Sequence, residues 1–379
     1  MSRFLILGGA GDMGSAIVDD LAKSGVEEVI VGDVNRERGE ELIKKLSGGV
    51  TKLRFTHIDI EDQKSLVGVM SDSDIVINAV GPFYRFEHGV IEAARLASVD
   101  YVDICDDHDA TASVFESREA IDGSGSRVLV GMGWTPGITN VLARSACDEI
   151  GSPSDVNIAW FGSASDAAGL AVISHVLHAV TGDVPVYLNG KIENVPARQM
   201  KKEVVFPKPV GKLETFVVGH PEPLTFPLFV KNLKNVILRG ALVPQWQNHL
   251  IGQFADIGLT ETKPIRVGNV DISPRDFLAS FIHQSMSQFR SGGVEASGFF
   301  VEVTGESKGK KTTIQYAGMD RMYRLTGWSA SIGAQYLASH RNTGKGLFAP
   351  EGIIDPGFFM DELAKRKISV RKTKAVEEY

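Results

Sequence analysis

Short apolar runs alternate with segments of helical period through the first third of the chain. Residues 3–7 (RFLIL), 26–33 (VEEVIVGD), 53–60 (LRFTHIDI), 74–80 (DIVINAV), 100–104 (DYVDI) and 127–132 (RVLVGM) read as strands. Nearly continuous apolar character is what a strand buried on both faces requires. Between them, residues 12–24 place Met13, Ile17, Leu21 and Ala22 on one helical face, and 36–46, 65–70 and 89–97 are also helical. This alternation predicts βαβ units around a parallel sheet covered on both faces.

The rhythm changes after about residue 150. Residues 155–162 (DVNIAWFG) read as a strand, and 166–182 as a helix closed by Gly182. Residues 185–197 (PVYLNGKIENVPA) alternate on either side of Asn189-Gly190, a strong hairpin signal. Short strands are expected at 213–219, 224–229 and 298–304, and a helix over 272–289 with Pro274 near its first turn. Helices return at 328–340 and 355–367. The fold class expected is α/β: a Rossmann doubly wound parallel sheet, plus a second α+β domain with a mainly antiparallel sheet. The first domain is expected over residues 1–135, completed by C-terminal helices over about 326–379. The second, for substrate binding and dimerisation, is expected over 136–325.

Chemistry enters at the first strand–helix junction, Gly9-x-Gly11-x-x-Gly14. In a dinucleotide fold the first glycine makes the tight turn, the second admits the pyrophosphate to the backbone, and the third lets helix and strand pack closely. Ala10, Asp12 and Met13 complete the loop and the helix N-terminus, whose free N–H groups and dipole favour phosphate. Asp33 ends the second strand at the spacing where a carboxylate accepts from the ribose hydroxyls. Its charge opposes a 2′-phosphate and favours NAD, while Arg36 and Arg38 close behind keep NADP open. Asp59 and Ile60 lie at the third strand's end, near the adenine position of such folds. Asn78, Ala79, Gly81 and Pro82 lie at the fourth strand's end, on the nicotinamide-ribose side; for Gly81-Pro82 a plain turn is the alternative. No Gly-Lys-Ser/Thr follows the loop, which excludes a Walker site.

Composition narrows the partners. With 379 residues, two or three domains are expected, and a 43% hydrophobic content supports sizeable cores. A net charge of −7 without an extended basic cluster argues against nucleic acid. The basic tail Lys365–Lys374 is expected to be a solvated helix face or a frayed end. No apolar run approaches the ~20 residues of a bilayer span, and the N-terminus reads directly into a strand. Two cysteines, Cys105 and Cys147, suit a reducing compartment. A soluble cytoplasmic protein without membrane contact is the expectation.

Across nearly its whole length the chain resembles the saccharopine dehydrogenase-like oxidoreductases, including the lysine 6-dehydrogenase and carboxynorspermidine dehydrogenase branches. GGAGDMG (8–14), NAVGPFYRFEHGVIEAARLASVDYVDIC (78–105), GMGWTPGITNVLAR (131–144), LNGKIENVPA (188–197), GHPEPLTFP (219–227) and FAPEGIIDPGFFMDELAKRKI (348–368) carry the resemblance, in family order. The resemblance implies hydride transfer between nicotinamide and a carbon bearing nitrogen, in an amino acid or polyamine, with lysine 6-dehydrogenase-like activity as the narrower expectation. An NAD-prosthetic homospermidine synthase-like transferase and a non-catalytic redox sensor are the alternatives.

Amine oxidation needs a proton acceptor and a site that tolerates a cationic iminium. Tyr84, His88, Asp106, Asp107 and His108 follow the fourth and fifth strands and are the proton-transfer candidates; histidine titrates near neutral pH. Arg85 is a candidate clamp for a substrate carboxylate. Trp134 could hold a cation on its indole face, and His220 with Glu222 could meet a second ammonium. For each of these a packing, capping or surface role is the alternative. No metal site is expected: His175 and His178 are three apart on a helix with no evident third ligand. Tyr187 and Lys191 mimic a short-chain reductase pair, but the intervening Asn189-Gly190 turn would put them on opposing strands. A homodimer pairing second-domain sheet edges across a two-fold axis is expected.

Overall fold

The computed structural model describes residues 2–166, 169–285, 288 and 292–377. The chain forms two compact units, Met1–Val141 with Tyr323–Leu363, and Leu142–Met322 with Ala364–Tyr379. The first unit begins β1 (Arg3–Leu7), α1 (Asp12–Lys23), β2 (Glu28–Asp33), α2 (Arg36–Leu46), β3 (Lys52–His57), α3 (Gln63–Met70) and β4 (Ile75–Asn78). It continues α4 (Phe83–Ala97), β5 (Asp100–Asp103), α5 (His108–Glu116), α6 (Arg118–Asp122) and β6 (Arg127–Leu129). Its parallel sheet has the order β3-β2-β1-β4-β5-β6, extended by a later strand, Gly346–Phe348, beside β6. Strand order reverses between β1 and β4, and in such sheets ligands bind beyond the C-terminal strand ends at that reversal.

The central strands are apolar because both faces are covered: Leu5, Leu7, Ile30, Val76, Tyr101 and Val128 belong to one buried cluster. Polar residues mark the helix starts. Asn35 accepts from the Arg38 amide at α2, and Asp62 from the Ser65 amide at α3. Buried Arg127 pairs with Asp100 and donates to the His340 carbonyl, tying β6 to the end of helix Ser329–Ser339.

The second unit contains α7 (Ile138–Ile150, begun in the first unit), β7 (Ser152–Ser163), α8 (Leu170–Ala179), β8 (Asp183–Leu188), β9 (Lys191–Pro196), β10 (Lys202–Val205) and β11 (Lys212–Val217). Then come α9 (Glu222–Phe229), β12 (Asn235–Val243), α10 (Trp246–Asp256), β13 (Ile265–Val267), β14 (Val270–Ile272), α11 (Pro274–Gln284), β15 (Ser297–Ser307) and β16 (Lys310–Asp320). Its main sheet runs β10-β11-β12-β7-β15-β16 and is antiparallel except for the β12–β7 pair. The Asn189-Gly190 turn joins β8 to β9 with positive φ at both residues, as a type I′ hairpin requires.

Three sequence expectations are corrected. Residues 224–229, expected as a strand, lie in helix α9; Pro223 falls at its first turn, where proline's fixed φ suits a helix. The basic tail is neither a helix face nor frayed. Helix Pro356–Lys365 ends and Val370–Val376 pairs antiparallel with β16 in the second unit's sheet. There Lys372 and Lys374, two apart on one strand face, both reach Glu149. The expected helix over 272–289 ends at Gln284, and residues 286, 287 and 289 lie outside the described residues. No helix among the described residues is long and apolar enough to cross a membrane.

After β6 the chain turns back sharply. Gly133 donates to the Pro136 carbonyl at 3.0 Å, and Gly137 has a φ of +127°. A Cβ on Gly137 would lie 1.9 Å from the Gly133 oxygen. Gly137→Ala is expected to destabilise the first unit by about 2–4 kcal/mol through strain and overpacking; equilibrium denaturation checks this.

Candidate functional site

The loop after β1 is packed as tightly as backbone permits. Gly8 holds the left-handed conformation (φ +71°), so it makes the turn that the sequence pattern assigned to Gly9. Gly9 is needed for a different reason: its Cβ would lie 2.9 Å from Val31 on β2. At Gly14 a Cβ would stand 2.0 Å from the Gly8 oxygen, so only glycine lets α1 start this close to β1. Gly11 caps α1 without a side-chain hydrogen bond, and a Cβ there would meet only the Gly8 oxygen, at 3.2 Å. The backbone at Gly11 is thus open on its outer side, where the start of α1 fits a diphosphate.

Asp33 accepts from the Ala10 amide at 3.0 Å and the Asn35 amide at 2.9 Å, fastening the loop to the end of β2. Arg36 is exposed, pairs with Glu40 at 3.0 Å and lies over the Phe55 ring. Asp59 and Ile60 fall just beyond β3: Asp59 accepts from the Glu61 amide, and Ile60 packs on the core. Asn78 is buried at the end of β4, where its side chain accepts from the Val80 amide and donates to the Tyr101 hydroxyl at 3.0 Å. Ala79, Gly81 and Pro82 are half-buried, and Pro82 caps α4.

The proton-transfer candidates divide. Asp107 is buried and accepts from the Tyr84 amide at 2.9 Å, which brings the starts of α4 and α5 together; half-buried Asp106 and His108 flank it. His88 is exposed on α4. Arg85 is also exposed, paired with Glu61 at 3.1 Å and lying over Phe86. Trp134 is buried in the turn between β6 and α7.

The sequence reading missed an acidic cluster beneath these residues. Glu87 on α4 and Asp103 at the end of β5 are both buried, in contact with Tyr101 and Cys105. Burial pushes the Glu87 carboxyl well above the usual carboxylate range, and the neighbouring Asp103 adds to this. Burial also raises Asp103, against the Gly131 and Cys105 amides that hold its charged form. The Cys105 thiol and the Tyr101 phenol are pushed up by burial first and then by the surrounding acids. A signal was present: Glu87 keeps step with Val90, Ile91 and Ala94 on the apolar face of α4.

In the second unit, Glu222 and His220 are fully buried and paired, with His220 Nδ1 3.2 Å from Glu222 Oε2. His220 meets the ring of His175 edge-on at 5.2 Å and lies 5.9 Å from that of Trp160. His178 is 2.8 Å from Arg275. Tyr187 faces Ile192 and Lys191 faces Leu188 across the β8–β9 hairpin, so Tyr187 and Lys191 stand on opposing strands.

A dinucleotide-binding unit followed by a mixed α/β unit is the class defined by this fold and loop. The saccharopine dehydrogenase NADP binding domain model matches residues 4–122, and the saccharopine dehydrogenase C-terminal domain model matches residues 133–368. The chain belongs to the saccharopine dehydrogenase family, and its first unit is that family's NAD(P)-binding domain. Apo saccharopine dehydrogenase (L-Glu forming) from Saccharomyces cerevisiae shares the fold, with a TM-score of 0.72 and 17% identity over 99% of this chain and 100% of that one. A putative myo-inositol dehydrogenase from Sinorhizobium meliloti 1021 aligns over 98% of this chain and 99% of its own, at 13% identity and a TM-score of 0.44. A phenylcoumaran benzylic ether reductase of Betula pendula is 40% identical over 87 residues, 21% of this chain. The match spans 26% of that curated relative's length.

Gly14→Ala is expected to weaken NADH binding about 100-fold or more, because α1 must retreat from Gly8 and its N-terminal amides lose their aim. Calorimetric titration of the full chain with NADH reads this directly.

Proposed function

We propose that this chain is an NAD(P)-dependent oxidoreductase that transfers hydride at a C–N bond of an amino acid or polyamine. The observation that carries the reading is the side-chain-free Gly8–Gly14 junction fastened by Asp33, in a chain of the saccharopine dehydrogenase family. Bound NAD(P) supplies the hydride acceptor. The chain must bind the amine, take its proton and tolerate the iminium. Asp106 and His108 are suited to holding the ammonium and accepting the proton, since both are half-buried beside the anchored Asp107. Lysine-like activity is the narrower form of the proposal. A homodimer formed through the second unit and a cytoplasmic setting belong to the same reading; the two buried free thiols suit the latter.

NAD is the preferred form in this proposal. Asp33 opposes a 2′-phosphate, while exposed Arg36 is engaged with Glu40. Such exposed pairs contribute ~0–1 kcal/mol, so Arg36 can turn toward a phosphate once the acid is gone. Asp33→Ser is therefore expected to shift preference toward NADP about tenfold or more, read as the ratio of the two dissociation constants.

The activity is tested with lysine, saccharopine and polyamines in the presence of NAD or NADP. Net NADH or NADPH formation proportional to one of these amines is expected. No reduction with any of them, from protein that binds NADH, would overturn the C–N assignment.

A further inference from the structure

Glu87 occupies a helix position whose neighbours are apolar, yet its carboxyl is buried and neither oxygen has a hydrogen-bond donor. Asp103 is divided. Its Oδ1 accepts from the Gly131 amide at 2.7 Å and the Cys105 amide at 3.0 Å, while its buried Oδ2 has no donor. The two carboxyl groups lie against one another. Among the described residues no lysine, arginine or histidine pairs with either.

Among the described residues, the groups facing Glu87 offer no positive charge. They are Asp103 and Tyr101 on β5, Cys105 just beyond it and Asp107 at the start of α5, with Asp106 beyond Cys105. On the two helices packed against α4, Lys64 of α3 and Asp109 and Glu116 of α5 are exposed, and His108 opens α5 half-buried. Two ionised carboxylates cannot stand together in such surroundings. One proton resolves the conflict: a neutral Glu87 donates to Asp103 Oδ2, leaving Asp103 charged for the two backbone amides.

We propose that Glu87 is a neutral carboxylic acid that donates its O–H to Asp103 and is thereby a positioning residue for the nicotinamide half of the cofactor site. Asp103 lies beside Asn78 in strand register, at the ends of β5 and β4. Through its two oxygens it joins α4 to the Gly131 turn and to the peptide of Cys105, while Asn78 holds the Val80 amide. β4 borders the reversal in strand order and β5 lies next to it, so the acid pair sets backbone beside the crevice in which a nicotinamide would rest. This rests on the dinucleotide reading above.

The sign of the pH effect follows from linkage. In the unfolded chain Glu87 ionises above about pH 4, whereas the folded chain retains the proton. The folded state therefore binds more protons, and stability falls as pH rises. The unfolding constant grows about tenfold per pH unit for one retained proton, until the buried acid itself ionises. Glu87→Gln removes this dependence and keeps a donor; Glu87→Leu removes the donor.

Three measurements on the full chain test the proposal. Infrared spectra in H2O and D2O at neutral pH are expected to show a protonated carboxyl C=O band in the native protein that Glu87→Gln lacks. Glu87→Leu is expected to weaken NADH binding about tenfold while leaving ADP-ribose binding unchanged, and Glu87→Gln to restore it. The pH dependence of unfolding should flatten in Glu87→Gln. If the native protein shows no such band, or the band persists in Glu87→Gln, the neutral Glu87 is overturned. Equal weakening of NADH and ADP-ribose in Glu87→Leu, or no weakening of either, overturns the positioning role. Native protein that binds neither ligand but shows the band defeats the dinucleotide reading instead. If a variant does not fold, the native band and its titration still decide the protonation.

Discussion

Where α1 leaves β1, the chain comes within contact of its own backbone, and no side chain fits between Gly14 and Gly8. That approach brings the uncapped N-terminus of α1 up against the strand end and leaves the outer side of Gly11 open. The proposed dinucleotide site depends on it, because the free N–H groups of a helix N-terminus grip an anion where the backbone can be approached closely. The neighbouring strand completes the arrangement: Asp33 ends β2 and fastens the Ala10 amide. The same carboxylate also accepts from the Asn35 amide just before α2.

The ends of β4 and β5, on the other side of β1, are built on a different principle. There a buried acid pair, rather than glycine, sets the backbone. A charged carboxylate without a partner in such a place costs several kcal/mol, and sharing a proton with a second carboxyl relieves that cost. The result is directional: one acid donates, and the other is left to accept from two backbone amides. Cys105 and Tyr101, both raised by burial, remain neutral beside it and add no further charge.

The second unit is held by long antiparallel pairings around β7, β15 and β16, with β12 parallel to β7 on the other side. Two of its acids have partners out of solvent: Glu222 with His220, and Asp166 with Arg321, Ser297 and the Met322 amide. Asp166 is nonetheless raised, because burial outweighs those hydrogen bonds. Membership of the saccharopine dehydrogenase family covers this unit as well as the first.

Patterns of short range were legible in the chain alone. Apolar runs marked the buried parallel strands, Asn189-Gly190 marked a hairpin, and glycine spacing marked the tight β1–α1 junction, because each is imposed by neighbours in sequence. Residues 224–229 and the basic tail were misread, since short apolar runs and alternating lysines suit helix and strand alike until a partner strand or a proline-set first turn decides. Tertiary structure alone decided that Glu87 would meet Asp103, sixteen positions away, and that Glu222 would be buried against His220. A carboxyl group's protonation depends on what surrounds it in space, and neither residue type nor spacing along the chain carries that information.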